Sequence, residues 1–477
     1  MHNFHSDTGK TTFTACKKPE SALGFGDRGR FSVSFFRARG TVLPAPYSDF
    51  STSYLKSGPE EPSPGSLCRI HMKKLLTAAL LADFTGAALR ITSRRLPGFA
   101  DRYAEIMNPL LVNTLGRLSG LFPFSIAELL LYLLILTAAA GTLSLFRRRT
   151  SSGTSHRTGD RPGRPIRPVR ALFRSAGCFL FCLLSVLFFL FELNEDVYFS
   201  RTGFAALYNL ERDSYTTEEL ETVCRKLVNE INLYTPRVLR NSDGHMIAGL
   251  PEAASGPGNA FPASPDSPAS PDSPASPVPA PLSHRVRAAM QRLGETYPEL
   301  SGWYPLTKPV LFSTILSRGD ITGVYSMFTV EANYNRDMPQ YNLPFTMGHE
   351  LSHLKGFESE KEANFLGYLC CVTSEDPDLR YSAAMMGWVY CGNELHRRDY
   401  DTWLRLHEAL DPRAREDLED NNRFWDRYRG KGSETIQDLN DAYLKAEGLK
   451  EGTLSYDLVA DMIVTWELTG HSGITPQ

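Results

Sequence analysis

The sequence lacks the cysteine patterns that would fix its chemistry or its compartment. Its eight cysteines, at 16, 68, 178, 182, 224, 370, 371 and 391, contain no CxxC pair, which excludes a zinc knuckle or a thioredoxin-type redox centre. Cys178 and Cys182 sit inside an apolar run and Cys370 and Cys371 are adjacent, so no disulfide framework is legible. Net charge is nearly absent too. Fifty-one basic against 54 acidic residues leave −3, and nothing in that balance argues for a nucleic-acid partner. Charge disappears completely from two stretches, Leu129–Phe146 and Ser175–Phe191. Between residues 251 and 283 it is core-forming side chains that are scarce: Pro, Ala, Ser, Gly and Asp dominate, with the tandem ASPDSPASPDSPASP.

Each absence assigns a region. At 477 residues the chain exceeds one ordinary core and has room for two or three regions. The charge-free stretches are 18 and 17 residues long and apolar all round, close to what crosses a hydrocarbon core of ~30 Å. The loop between them, residues 147–174, carries nine arginines against one acid, Asp160. Short basic loops stay cytoplasmic, so the spans 124–146 and 175–193 flank a cytoplasmic loop and the rest of the chain lies outside. Residues 72–92 begin with Lys73 and Lys74 and continue mostly apolar, interrupted by Asp83; they form a marginal first span running outward. Residues 1–71 show no periodicity and read as a disordered or non-native extension, with Met72 the favoured start. Residues 251–283 offer no face to bury and read as a disordered insertion.

The outer half is patterned as a folded domain. Within residues 194–250, Thr216 and Glu219 form a candidate capping box before Leu220, Val223, Leu227, Val228 and Ile231 at helical spacing. From 284 to 477, KPVLFSTIL and GVYSMFTVEANYN read as strands. A helix is expected near Pro344, closed by a left-handed Gly356. Apolar-faced helices are expected over 363–371 and 380–395, and two more in the tail, broken at Gly448 and Gly452.

The stretch GHELSHLKGFESEKEANF, residues 348–365, carries the chemistry. His349 and His353 are one helical turn apart and share a face, which lets two imidazoles hold one Zn²⁺. Glu350 beside them reaches a bound water, the arrangement HExxH. Zinc lowers the pKa of such a water toward ~7, and the glutamate takes its proton as the oxygen attacks a carbonyl. Two glutamates compete as third ligand. Ser359 and Glu362 fit a capping box, which occupies Glu362 and favours Glu360. Asn364 could orient Glu360 or a histidine. Tyr325, Tyr443 and Tyr456 are candidate oxyanion donors.

HELSHLKGFESEKEANFLGYL, with KPVLFSTILSRGDITGVYSMFTVEANYN before it and FPFSIAELLLYLL upstream, resembles the uncharacterised bacterial membrane family catalogued as domain of unknown function 3810. The likeness runs from about Met72 to Trp466, apart from the proline-rich insertion. It implies a gluzincin-like metallopeptidase whose third ligand is the first Glu of an E-x-x-A-[DN] segment. Here that segment is Glu360–Asn364, with Asn where Asp is commoner. The expected fold is a mainly α membrane anchor followed by an α+β zincin-like domain. The expected function is a multi-pass cell-membrane zinc metallopeptidase acting outside the cytoplasm on a peptide or protein. A membrane sensor, or an interaction protein with a structural metal, is the alternative.

Overall fold

The structure, a computed structural model, describes residues 64–151, 167–210, 214–249, 280–430, several between 434 and 445, and 456–469. Side chains are described from residue 71 onward, leaving out 144–151, 167–176 and 456–458. Most of the chain is helical, with two small sheets.

Among the described residues, three helices are long and apolar enough to cross a membrane: His71–Arg95, Ile126–Leu143 and Gly177–Leu207. The first belongs to α1 (Pro64–Arg95), which starts before the expected span. It is followed by α2 (Phe99–Leu111), a π-helical turn (Val112–Gly116) and the single turn α3 (Arg117–Ser119). Helix α4 (Ile126–Ser151) holds the second, and α5 (Arg167–Asn194) most of the third. Between α1 and α5, Ser185 Oγ donates to Asp83 Oδ2 at 2.9 Å and Arg90 Nη1 donates to Glu192 at 3.1 Å. Arg94 reaches Asp196 at 3.0 Å just past α5. Every pair is 102 residues apart, so the two helices run parallel.

The folded half begins with α6 (Phe204–Leu207) and α7 (Thr217–Tyr234), whose Thr216–Glu219 capping box is present with both of its hydrogen bonds. A hairpin of β1 (Leu239–Arg240) and β2 (Met246–Ile247) follows. Next come α8 (Leu282–Thr296), β3 (Lys308–Pro309), α9 (Ser313–Arg318), β4 (Gly323–Ser326) and β5 (Glu331–Tyr334). The sheet order is β3-β5-β4, with β3 parallel and β4 antiparallel to β5. The remaining helices are α10 (Asn342–His353), α11 (Glu360–Val372), α12 (Pro377–Arg398), α13 (Tyr400–Glu408), α14 (Pro412–Asp426) and α15 (Tyr456–Leu468). One core joins α7, α8, α10, α11, α12 and α15 around Phe204, Tyr304, Tyr341, Phe365, Tyr368 and Tyr381.

The helix pair α10 and α11 packs closest where both carry glycine. A Cβ on Gly348 would lie 3.2 Å from the Gly367 Cα, and one on Gly367 would lie 2.8 Å from the Phe345 carbonyl oxygen. Backbone-to-backbone contact at that point brings the first turn of α11 against His349. The fold is tied to α4 as well. Both carboxylate oxygens of Glu331 on β5 accept from the first turn of α4, at Ile126 N (3.1 Å) and Ala127 N (2.9 Å). Buried Lys308 pairs with Glu331 and donates to Ser119 O at 2.8 Å. Glu128 of α4 accepts in turn from Leu311 N (2.9 Å) and Phe312 N (3.0 Å).

Those bonds explain where the sequence expectation fails. KPVLFSTIL forms only the two-residue β3 and then turns into α9. Pro309 has no amide hydrogen for the ladder, and the amides of Leu311 and Phe312 are taken by Glu128 instead of a neighbouring strand. Leu282 and Ser283, assigned by composition to the insertion, open α8 and are buried. Residues 251–279 of the insertion, residues 1–63 and most of the basic loop lie outside the described residues. So does the tail break at Gly448 and Gly452; only its second helix, α15, is described as a whole. Helices α13 and α14 were not anticipated.

Candidate metal centre

Every residue of α10 is buried, including His349, Glu350 and His353. The helix ends in a Schellman motif: Gly356 N bonds to His353 O (2.8 Å) and Phe357 N to Ser352 O (3.3 Å). Gly356 has φ 79°, and a Cβ there would also strike the Tyr198 ring at 2.4 Å. The reversal turns the Phe357 carbonyl back to the helix, where it accepts from His353 Nδ1 at 2.9 Å. The cap that ends the helix therefore also orients one of its histidines.

His349 is oriented from α11. Its Nδ1 lies 3.0 Å from Asn364 Oδ1. With both Nδ1 atoms engaged, the two Nε2 atoms face each other at 3.0 Å. Glu360 Oε2 lies 3.4 Å from His349 Nε2, and the three donor atoms fall within 4.8 Å of one another. Phe357 O can only accept, so His353 carries its proton on Nδ1 and leaves Nε2 bare. With Asn364 Oδ1 accepting, His349 is in the same tautomer. Two bare lone pairs at this separation repel unless a cation lies between them. Donors on a tetrahedral Zn²⁺ with bonds of ~2.0–2.1 Å stand about 3.3–3.4 Å apart, a spacing that His349 and Glu360 meet at 3.4 Å and the two histidines approach at 3.0 Å. Burial, and then the neighbouring His353, lower the His349 pKa to about 4, which holds the imidazole in the neutral form that binds metal. The donor set fits a divalent cation.

Glu350 Oε1 is 4.0 Å from His349 Nε2, and its Oε2 is buried without a hydrogen bond inside the protein. The side chain lies across Gly323 of β4, where a Cβ would come within 2.3 Å of Oε1. Burial, followed by Glu360, raises the Glu350 pKa well above the carboxylate range. The expected residues His349, His353, Glu350, Glu360 and Asn364 thus meet at one place, and Asn364 serves His349. The Tyr325 ring stacks beside His353 at 6.5 Å, and burial raises its phenol pKa, so it remains a protonated donor. Tyr443 and the Tyr456 side chain lie outside the described residues.

One expectation is overturned. The Ser359 side chain makes no cap hydrogen bond, so the capping box with Glu362 does not form. Glu362 Oε1 instead accepts from Ala205 N of α6 at 3.0 Å and rests against Gly203. A long-range bond has displaced the local one, and Glu362 still points away from the ligand role. The sequence reading also missed Glu358. It is buried, its Oε2 is 3.6 Å from His353 Nδ1, and burial followed by Glu195 raises its pKa. Its place in a run of acids gave no signal of burial.

A family model described as "Protein of unknown function (DUF3810)" matches residues 103–464. No curated protein and no solved structure gives a significant match.

Proposed function

This chain belongs to the family described as Protein of unknown function (DUF3810), and for it we propose a membrane-anchored zinc metallopeptidase with a zincin-like catalytic domain. The carrying observation is the convergence of His349 Nε2, His353 Nε2 and Glu360 Oε2 beside a buried carboxylate with an unpaired oxygen. Two histidines and a glutamate are the donor set of catalytic rather than structural zinc, because they leave a fourth position open. Bound there, Zn²⁺ would lower the pKa of a coordinated water to about 7 and polarise a carbonyl.

The chain's own residues supply the rest. Asn364 and the Phe357 carbonyl hold both imidazoles with Nε2 toward the metal. Glu350, packed on Gly323, accepts the proton of the attacking water and returns it to the leaving amine. Its burial raises its pKa above the ordinary carboxylate range, which makes it a stronger base. A structural site would have no use for such a base. The polypeptide substrate binds outside the cytoplasm. That topology is supported by the start of α4 and the end of α5, which are tied to the folded half, and by the end of α1, which is tied to the end of α5, all opposite the basic loop.

The test is a peptide-library digest by the purified full-length protein in detergent, with and without a zinc chelator. Cleavage that stops on chelation and returns with Zn²⁺ is expected. Absence of zinc-dependent cleavage across a broad library would count against the reading.

A further inference from the structure

The segment Leu311–Arg318 is built inside out. In α9 the serines point inward, Ser313 and Ser317 being 1% and 0% exposed. Both are hydrogen-bonded to the chain after β5: Arg336 N donates to Ser313 Oγ and Asn335 Nδ2 to Ser317 Oγ, each at 3.0 Å. The large apolar side chains point outward, Leu311 52%, Phe312 61% and Ile315 63% exposed. A helix in water would orient itself the other way. This surface is continuous with a candidate span. Leu311 and Phe312 donate to Glu128 in the first turn of α4, and the Phe312 ring meets Tyr132 edge-on at 5.6 Å. Phe122 and Phe124, also exposed, immediately precede α4. Arg336, half exposed, donates to Leu311 O at 2.9 Å and lies 4.0 Å from Asp337.

We propose that Leu311, Phe312 and Ile315, with Phe122 and Phe124, form a membrane-embedded seat that plants the folded domain in the outer interfacial layer of the bilayer. The occupant is lipid. Aromatic side chains at the mouth of a span and an exposed apolar edge with an arginine beside it are what that layer favours. The proposal rests on the membrane-anchor reading above. It also sets the height of the metal centre. Gly323, beneath Glu350, pairs with Tyr334, three residues along β5 from the Glu331 that caps α4. By strand rise that offset is about 10 Å.

The test uses the full chain in phosphatidylethanolamine–phosphatidylglycerol vesicles, with Cys16, Cys68, Cys178 and Cys182 replaced by Ser. Nitroxide labels are placed by Ile315→Cys, Phe312→Cys, Leu133→Cys on α4 and Leu239→Cys on the β1–β2 hairpin. Collision with oxygen reports lipid, and collision with a nickel chelate reports water. Ile315 and Phe312 are expected to match Leu133, oxygen-dominated, with Leu239 nickel-dominated. A nickel-accessible Ile315 beside a lipid-exposed Leu133 overturns the seat and leaves the anchor standing. A nickel-accessible Leu133 overturns the anchor and the seat with it. An Ile315 label shielded from both reagents overturns the proposal in favour of a second copy of the chain. If Phe312→Cys disturbs the contact with Tyr132, Ile315→Cys decides alone.

Discussion

Helices α4 and α10 both carry leucine and aromatic side chains, yet their surroundings are opposite. In α10 every residue is buried by protein, and three of its twelve residues are titratable. In α4, Leu129, Leu130, Leu131, Leu133, Leu134, Ile135 and Leu136 all point outward, with Glu128 alone carrying charge at the start. The first helix needs its protein neighbours to neutralise and orient polar groups: Asn364, the Phe357 carbonyl and Gly323 do so. The second finds its polar partners in its first turn, at Glu331, Leu311 and Phe312. Apolar content by itself therefore says little about role. What separates the two is whether buried polar groups are present and what satisfies them.

The largest expected effect lies in α10. Glu350→Gln keeps the shape and the metal donors but removes the base, so turnover should fall by about 10²–10⁴-fold with zinc retained. Turnover and metal content measured on the same preparation check this. Undiminished activity would remove Glu350 from the mechanism.

The difference in legibility follows the same divide. His349, Glu350, His353, Gly356 and Glu360 were readable because helix periodicity and cap chemistry are local and fall within a dozen residues. The pairs Glu331–Ile126, Glu128–Leu311 and Glu350–Gly323 join residues 27 to 205 positions apart, and no single-sequence pattern announces them. Glu362 was misread for the same reason: a local capping rule was sound chemistry, but Ala205 N, 157 residues away, competes for the carboxylate. The long apolar helices were legible because an uninterrupted apolar run reads from composition alone.

One substitution made in both helices sharpens the comparison. Leu351→Ala in α10 opens a cavity in a fully buried site and should cost about 2–5 kcal/mol. Leu133→Ala in α4 removes no protein packing and should change the stability of the folded domain by less than about 0.5 kcal/mol. Thermal unfolding in detergent compares them, and equal losses would mean that α4 packs against protein.

Acid should next separate two buried groups of α10. Burial lowers His349 from 6.5 to about 4, so in metal-free protein the unfolded chain binds its proton first as pH falls. The stability linked to this group is complete above pH 6.5 and is lost between there and about pH 4, by at most roughly 3 kcal/mol. The raised Glu350 pKa acts in the opposite sense, its folded carboxyl holding a proton that the unfolded chain has released as pH rises. Unfolding of wild type and Glu350→Gln from pH 4 to 7 separates the two: acid destabilisation should be steeper in the variant. An identical pH profile would contradict the buried carboxylate.

The last pair of substitutions belongs to α11, the partner of α10. Glu362→Ala should leave metal binding intact while costing about 1–3 kcal/mol, because the Ala205 amide loses its partner. Glu360→Ala, on a half-exposed side chain, should do the reverse and weaken metal binding with little loss of stability. Isothermal zinc titration alongside unfolding checks the pair, and an exchange of the two phenotypes would reassign the third ligand.

The most direct measurement is the zinc content of purified full-length protein after loading and desalting, determined by elemental mass spectrometry. One equivalent is predicted for wild type and for Glu350→Gln, and none for the His349→Ala, His353→Ala double variant. A full equivalent in the folded double variant, or none in wild type, would contradict the metal centre on which the account rests.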